Sequence, residues 1–177
     1  MDIRIRDAVP DDAEAVEQVR YQGWLATYPN EEFRITREDI KELFRPQLSP
    51  EGIENRRHKI SEVQKTGRYV VAKVDGRIVG FCILIRYEEK NQLRGIYVLP
   101  GYQGKGVGKA LWQEVRASID PKMDTYVELA AYNAVAIGFY SKFGFKDTGR
   151  RFSNESQKLK NGAKIPEMEM RLDKAGQ

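Results

Sequence analysis

A glycine-rich segment, YVLPGYQGKGVGKAL at residues 97–111, has the composition of an anion-binding loop. Its glycines fall at positions 101, 104, 106 and 108. Glycine lets the main chain approach a phosphate closely, and the unpaired N–H groups at a helix N-terminus point towards it with the positive end of the helix dipole. Lys105 and Lys109 add positive charge. The segment therefore predicts a phosphate-binding loop that leads into a helix.

Two common phosphate-binding motifs do not fit this segment. The P-loop pattern G-x-x-x-x-G-K-[ST] would need glycine at Gln103 and a hydroxyl residue at Ala110. The dinucleotide fingerprint G-x-G-x-x-G would need a third glycine where the sequence has lysine or leucine. The pattern that fits is Q-x-x-G-x-G, formed by Gln103, Gly106 and Gly108.

A second segment, VELAAYNAVAIGFYSKFGF at residues 127–145, has a strand closed by Asn133, a helix that carries Tyr140, and a Gly144-Phe145 ending. Together the two segments resemble the signatures of the GCN5-related N-acetyltransferase (GNAT) superfamily, and the similarity extends over residues 68–172. The resemblance implies an N-acetyltransferase that uses acetyl-CoA as co-substrate. We expect no metal ion, because one cysteine and one histidine cannot form a Cys/His metal site. In such an enzyme the primary amine of the acceptor attacks the thioester directly.

The resemblance also implies which residues contact the cofactor. Main-chain groups of Ile96 and Val98 would pair with the pantetheine arm, and Asn133 would reach the same arm. The pyrophosphate would lie on the loop that starts at Gln103, held by the amides of the following residues: Gly104, Lys105, Gly106, Val107, Gly108 and Lys109.

Tyr140 is the candidate general acid, because the resemblance places its hydroxyl beside the leaving sulfur. A phenol has a pKa near 10 and a thiol a pKa near 8.5, so a phenol can stabilise the thiolate by hydrogen bonding. The competing interpretation is that Tyr140 only packs in the apolar face of its helix.

Glu128 is the candidate general base. An amine with the pKa of lysine, near 10.4, is neutral only about once in 2,500 molecules at pH 7, so it needs a base or a water relay. Glu128 precedes Tyr140 by twelve residues, which is similar to the base–acid pair of ribosomal-protein N-terminal acetyltransferases. An outward-facing strand carboxylate is the alternative. The strand around Ile96 lacks the glutamate base that several branches of the family carry there.

The acceptor is expected to contact the first helices, where GWLATYP resembles a helix end of polyamine and small-amine acetyltransferases. The candidate substrate residues are Trp24, Tyr28 and Glu31. Trp24 and Tyr28 are four residues apart, so they share a helix face that could equally belong to the core. The sequence leaves a polyamine or other small amine and a peptide N-terminus open as acceptors.

Hydrophobic periodicity predicts the elements that must position these residues. Strands are expected at the N-terminus (IRIRDA) and at residues 68–74, 77–87, 93–99, 125–131, from Phe145 onward, and 166–172. Helices are expected over 12–66, with loops near 29–35 and 46–49, and over 107–119 and 136–143. The predicted fold is α/β (α+β), with a central mixed, mostly antiparallel sheet of six or seven strands flanked by helices.

The chain is expected to form one N-acetyltransferase domain over residues 1–177. Its cofactor-binding core would span about 68–172, and its acceptor-side helices about 11–66. One compact domain of this length can bury a substantial core.

The composition narrows the function classes. The net charge of +4 is spread among nearly as many acids as bases, which does not favour a nucleic-acid binder. No apolar run is long enough to span a membrane, and the charged N-terminus does not resemble a signal peptide. We therefore expect a cytoplasmic monomer or homodimer without a membrane or nucleic-acid partner.

A non-catalytic acyl-CoA-binding sensor on the same fold is the alternative function. Loss of Tyr140 or of the loop glycines would favour a sensor, and the sequence retains both.

Overall fold

The computed structural model describes residues 1–154, 157 and 159–174. The strands in these residues are β1 (Arg4–Asp7), β2 (Gly67–Val74), β3 (Arg77–Arg86), β4 (Asn91–Val98), β5 (Thr125–Ala130), β6 (Lys146–Ser153) and β7 (Pro166–Leu172). The α-helices are α1 (Ala13–Thr27), α2 (Arg37–Phe44), α3 (Pro50–Thr66), α4 (Val107–Arg116) and α5 (Ala134–Lys142).

The strands form one sheet in the order β1-β2-β3-β4-β5-β7-β6. The neighbours β4 and β5 are parallel, and the other neighbouring pairs are antiparallel. The predicted mixed, mostly antiparallel sheet is therefore confirmed.

Local sequence signals account for most element boundaries. The Asp75-Gly76 turn joins β2 to β3, and both of its residues have positive φ, which this type of hairpin turn requires. Thr36 and Ser49 accept hydrogen bonds at 3.1 Å from the N–H groups of Asp39 and Gly52, and so start α2 and α3. None of the helices in the described residues combines the length and apolarity needed to cross a membrane.

Helix α4 is shorter than the periodicity predicted. It ends at Arg116, whereas the apolar repeat continues to Ile119. Ile119 is nevertheless buried, because the turn that follows the helix returns it to the same core.

The two central strands β4 and β5 pair over only three residues each. The parallel pairing joins Asn91–Leu93 to Thr125–Val127. Beyond these residues β4 continues to Val98 and β5 to Ala130 without pairing to each other. Arg94 is an extra residue in the β3–β4 register, and such a bulge bends a strand locally. The centre of the sheet therefore contains a gap that is open at one end.

The sheet has a separate core on each face. Helices α4 and α5 cover one face, where Leu111, Trp112 and Met170 are buried. Helices α1, α2 and α3 cover the other face, which we call the α1–α3 face. Because side chains alternate along a strand, β7 sends Met168 and Met170 to the first face and its glutamates to the α1–α3 face.

A buried charge cluster joins α1 to α3. Glu17 is 1% exposed and contacts the buried guanidinium of Arg56. Arg20 lies 3.2 Å from the same carboxylate. Removing Glu17 would leave the buried Arg56 without a counter-ion, so this cluster fixes the position of α1 relative to α3.

Candidate active site

The glycine loop connects the end of β4 to the start of α4. After Val98 the chain makes a 3₁₀ turn over Pro100–Tyr102, and α4 begins at Val107. Gly104 and Gly106 have φ values of 73° and 89°, in the left-handed region that side chains disfavour. Gly106 immediately precedes α4, so its conformation turns the loop into the helix.

The loop presents a row of main-chain donors. The N–H groups from Gly104 to Lys109 have no hydrogen-bond acceptor among the residues that the structure describes. The first N–H group after them, that of Ala110, donates to the Gly106 carbonyl at 3.0 Å. Lys105 and Lys109 are exposed beside this row. Unpaired donors at a helix N-terminus next to two lysines fit a diphosphate group.

Gly108 has a different role from that of Gly106. A Cβ atom added to Gly108 would lie 3.1 Å from the ring of Phe139 on α5, and 3.9 Å from the Ile96 side chain. The absence of a side chain therefore allows the first turn of α4 to pack against α5. This contact brings the loop close to the helix that carries Tyr140.

The main chain of β4 faces the gap at alternate residues. Leu99 donates its N–H to Val79 of β3 at 2.8 Å, whereas Ile96 donates its N–H to the Tyr140 hydroxyl at 3.2 Å. Successive residues of a strand direct their main-chain groups to opposite edges. The main-chain groups of Ile96 and Val98 therefore both face the gap, where an extended ligand could pair with them.

Gln103 supports the loop through its side chain. Its Nε2 donates to the Val98 carbonyl at 3.2 Å. This bond ties the start of the loop to the end of β4, and it occupies one of the Val98 groups expected to pair with the pantetheine arm. The Val98 N–H remains directed into the gap.

Tyr140 lies on α5 with its hydroxyl at the edge of this gap. The residue is 5% exposed, and its ring packs against Phe139 and Phe145. Burial raises the pKa of Tyr140, and the nearby Cys82 thiol acts in the same direction. The hydroxyl oxygen accepts a hydrogen bond from Ile96, so its own proton stays free to be donated. The phenol is therefore protonated, and its O–H bond is available to donate a hydrogen bond.

Asn133 caps α5. Its Oδ1 accepts a hydrogen bond from the Ala136 N–H at 3.0 Å. The cap fixes the start of the helix that carries Tyr140. The Nδ2 group of Asn133 remains for contact with the cofactor arm. This expected role of Asn133 stays a prediction.

Glu128 lies on β5 and faces the α1–α3 side of the sheet. Its carboxylate is 3.3 Å from Arg150, which is also 2.8 Å from Glu169 on the neighbouring β7. The carboxylate is therefore shared in an ion-pair network, although its side chain is still partly exposed. Its assignment as the general base stays a prediction.

The candidate substrate residues Trp24 and Tyr28, at the end of α1, form the wall of an aromatic cluster. Trp24 is 2% exposed, and its ring stacks on that of Tyr28 at 3.9 Å with an interplanar angle of 3°. Burial raises the pKa of Tyr28 well above its ordinary value, and Tyr97, Glu167 and Tyr132 act in the same direction. Trp24 is therefore a core residue that packs under the Tyr28 ring. The Tyr28 hydroxyl is the group of this pair on which the charged and polar side chains act.

Glu31 lies apart from this cluster. It is exposed in the turn after α1, where its carbonyl accepts a hydrogen bond from the Arg34 N–H at 3.0 Å. No contact joins its carboxylate to the half-buried tyrosines of that cluster in the part of the chain that the structure describes.

Three residues in this region were not predicted: Tyr97, Tyr132 and Glu167. The Tyr132 hydroxyl donates to the Tyr28 carbonyl at 2.7 Å. Glu167 is buried opposite Ala130 of β5. The alternation PEMEMRL at 166–172 indicates that Glu167 and the methionines lie on opposite faces of the sheet. No sequence signal indicated that the face with the glutamates is buried.

Within the described residues, no group of three or more His, Cys, Asp or Glu side chains is arranged to hold a metal ion.

Comparison with known proteins identifies the same regions. A family model described as an acetyltransferase (GNAT) domain matches residues 65–147, which include the glycine loop and Tyr140. An uncharacterized N-acetyltransferase of Mycobacterium bovis is 38% identical over 85 residues, covering 46% of this chain and 54% of the relative. The alignment thus spans about half the length of that curated relative. A spermidine N(1)-acetyltransferase of Thermoplasma acidophilum is 28% identical over 82% of this chain and 89% of its own.

Solved structures share the whole fold. The PaiA N-acetyltransferase of Thermoplasma acidophilum, solved in complex with coenzyme A, has a TM-score of 0.69 and 26% identity over 94% of this chain and 98% of its own. A GCN5-related N-acetyltransferase of Rhodopseudomonas palustris has a TM-score of 0.71 at 17% identity, over 98% of this chain and 96% of its own. The second similarity concerns the fold alone.

Proposed function

We propose that this chain, which belongs to the GNAT superfamily, transfers the acetyl group of acetyl-CoA to a primary amine of a small molecule. The observation that carries the proposal is the row of unpaired amides from Gly104 to Lys109, which lies next to a gap with the Tyr140 hydroxyl at its edge. An anion-binding loop and a proton donor are thus joined by one strand, β4.

The residues that would hold acetyl-CoA are those of the loop and the β4 edge. The amides of the loop, with Lys105 and Lys109, would bind the pyrophosphate. The Ile96 carbonyl and the Val98 N–H face the gap and would pair with the amide groups of the pantetheine arm. When bound, acetyl-CoA supplies an activated thioester.

Tyr140 holds a proton for the leaving thiolate. Its raised pKa keeps the phenol protonated at neutral pH, so it would stabilise the thiolate by a donated hydrogen bond rather than by complete proton transfer. The Ile96 N–H fixes the hydroxyl oxygen, so its O–H bond can be directed towards the sulfur of a ligand that pairs with β4. A positioned general acid of this kind contributes about 10²- to 10⁴-fold to the rate.

The acceptor amine must lose a proton before or during its attack. Glu128 faces the α1–α3 side of the gap, and Arg150 restricts its carboxylate. We assign it as the general base, acting directly or through a water molecule. This assignment is independent of the cofactor-binding residues and is tested separately.

A small amine suits the α1–α3 face better than a peptide does. Within residues 159–165, which precede β7, Leu159, Ala163 and Ile165 pack against the side chains of α1 and α2. Asn161 donates hydrogen bonds to the Arg34 carbonyl at 2.8 Å and to Asp39 at 2.9 Å, which holds this segment in place. The covered face supports a compact acceptor, and the spermidine acetyltransferase relative points in the same direction.

An acceptor screen tests the proposal. Release of free thiol from acetyl-CoA is measured with polyamines, alkylamines, amino acids, aminoglycosides and N-terminal peptides. We expect turnover with at least one class of small amine. Calorimetric binding of acetyl-CoA without turnover of any acceptor would instead favour the sensor function.

A further inference from the structure

Glu167 is a buried carboxylate with an unused oxygen. It is 6% exposed, and its Oε2 has no hydrogen-bond partner among the described residues. The Gln157 side chain hydrogen-bonds the carboxyl group. A carboxylate that is removed from water without a full set of partners destabilises the fold. A cationic ligand would supply the partner that this carboxylate lacks.

Aromatic side chains pack in the cluster that holds the cross-strand partner of Glu167. Its cross-strand partner Ala130 belongs to the same buried cluster as Trp24, Tyr28 and Tyr132. Burial, followed by the charges of Tyr97 and Glu167, raises the pKa of Tyr28. An alkylammonium group is attracted both by a carboxylate and by the faces of aromatic rings.

The other acidic residues on this face are already paired. Glu128 and Glu169 share Arg150, at 3.3 and 2.8 Å. Arg94 on β4 also acts on Glu167 electrostatically, but no ion pair joins Arg94 to any residue of the described ranges. Glu167 thus differs from Glu128 and Glu169 in that no arginine is paired with it in the described residues, and its buried Oε2 is left for a ligand.

Glu167 lies level with the reactive end of the gap. The last paired residues of β4 and β5 are Leu93 and Val127. Ile96 and Ala130 each lie three residues further on, about 10 Å along their strands. Because Glu167 pairs with Ala130, it is one strand away from the gap at the level of Ile96.

Tyr97 lies between the two ends of this path. It follows Ile96 on β4, and its side chain packs against the same cluster as Tyr28. The cluster therefore extends from Tyr97, next to Ile96 at the gap, past Tyr28 to Ala130, the cross-strand partner of Glu167. A molecule whose amine reacts at Tyr140 would need to extend past two tyrosines to reach the carboxylate.

We infer that Glu167 binds a second, non-reacting ammonium group of the acceptor, so that the enzyme selects alkyl diamines or polyamines over monoamines. The inference rests on the proposed function and specifies its substrate class. The reacting nitrogen lies in the gap, and the second nitrogen lies against Glu167 and the Tyr28 ring. A monoamine of the same length would leave the buried carboxylate without a partner.

The test compares 1,4-diaminobutane and spermidine with n-butylamine as acceptors. For the native enzyme, we expect kcat/KM to be higher for the two polyvalent amines. Glu167→Gln should lower kcat/KM for these amines by about 30-fold or more, mainly through KM, because it removes one partner of a buried charge pair. Its effect on n-butylamine should stay within about twofold. Glu169→Gln is the matched control on the same strand and face, and it should leave the ratio between diamine and monoamine unchanged.

Calorimetry gives a second readout that does not depend on turnover. Binding of 1,4-diaminobutane to the protein saturated with coenzyme A should be weakened in Glu167→Gln, while the affinity for coenzyme A itself should not change. An unchanged preference between diamine and monoamine in Glu167→Gln would overturn the inference and leave the proposed function standing. Absence of turnover with every amine, despite coenzyme A binding, would overturn the proposed function and with it this inference.

Discussion

Ile96 and Tyr140 are joined by a hydrogen bond across the edge of the central gap, in which the Ile96 main-chain N–H donates to the Tyr140 hydroxyl at 3.2 Å. The two residues are 44 positions apart in the sequence. Their contact connects the strand that would pair with the cofactor arm to the group that would protonate the leaving sulfur. The position of the acid is therefore fixed by the same strand that would position the thioester.

Replacement of Tyr140 by phenylalanine should separate chemistry from binding. We expect Tyr140→Phe to lower kcat by about 100-fold or more, because the proton donor is lost while the ring continues to fill the core. The affinity for coenzyme A, measured by calorimetry, should remain unchanged. Tyr87→Phe, at an exposed tyrosine, is the control. Wild-type turnover in Tyr140→Phe would remove Tyr140 from the mechanism.

The loop can be tested with a pair of glycine variants that share the same backbone strain. Gly106 and Gly76 both have φ in the left-handed region, at 89° and 79°, so a side chain at either position costs about 1–2 kcal/mol of strain. Gly106→Glu also places a negative charge beside the unpaired amides, and we expect it to abolish coenzyme A binding. Gly76→Glu lies in the β2–β3 turn and should retain binding. Equal affinities of the two variants in calorimetry would disprove the phosphate site.

The general base is tested through the pH dependence of the rate. If Glu128 accepts the proton of the amine, Glu128→Gln should lower kcat/KM by about 100-fold. The loss should be largest at low pH, where most of the amine is protonated. The Glu169→Gln variant removes the other carboxylate that contacts Arg150 and serves as the control. A pH–rate profile that keeps its shape in Glu128→Gln would assign the base to another group or to water.

Glu167 should make stability depend on pH. Burial, followed by the charge of Glu128, raises the pKa of Glu167 to about 7, from 4.5 for a free side chain. A raised carboxyl pKa means that the folded state binds the proton more tightly than the unfolded state, so this stabilisation is complete below pH 4.5 and is lost as pH rises through about 7. Glu167→Gln should therefore be more stable than the native protein at pH 8.5, by up to about 3 kcal/mol.

Urea unfolding of the native protein and Glu167→Gln at several pH values measures this difference. The two curves should converge at pH 4.5 or below, where both side chains are neutral. A constant difference across the pH range would contradict the raised pKa. Greater stability of the variant together with weaker diamine binding would indicate that the native carboxylate is retained for function at a cost to the fold.

The buried charge cluster of α1 and α3 predicts a large effect on stability. Glu17→Ala should lower the free energy of unfolding by about 3–5 kcal/mol, because it leaves the buried Arg56 without a counter-ion. Glu62→Ala removes an exposed carboxylate paired with Lys65 and should change stability by ~0.5 kcal/mol or less. Urea denaturation of both variants checks the prediction, and similar values for the two would contradict it.

Local features of the chain were predictable because neighbouring residues encode them. Left-handed glycines, a helix that starts directly after Gly106, and the Asp75-Gly76 hairpin depend on backbone preferences within a few residues. The alternation and helical spacing of apolar residues depend on the same short range. These signals predicted the element order, the mixed sheet and the anion-binding loop, and the resemblance to a family singled out Tyr140.

The tertiary structure decided which groups meet. Gln103 contacts the Val98 carbonyl, Ile96 contacts Tyr140, and the Tyr132 hydroxyl contacts Tyr28, which precedes it by more than a hundred residues. Strand register and burial depend on contacts between segments that are distant in the chain. The sequence by itself therefore determined the loop and the elements. Only the folded sheet determined that β4 and β5 separate, that Glu128 is shared with Arg150, and that Glu167 is a buried carboxylate with a free oxygen.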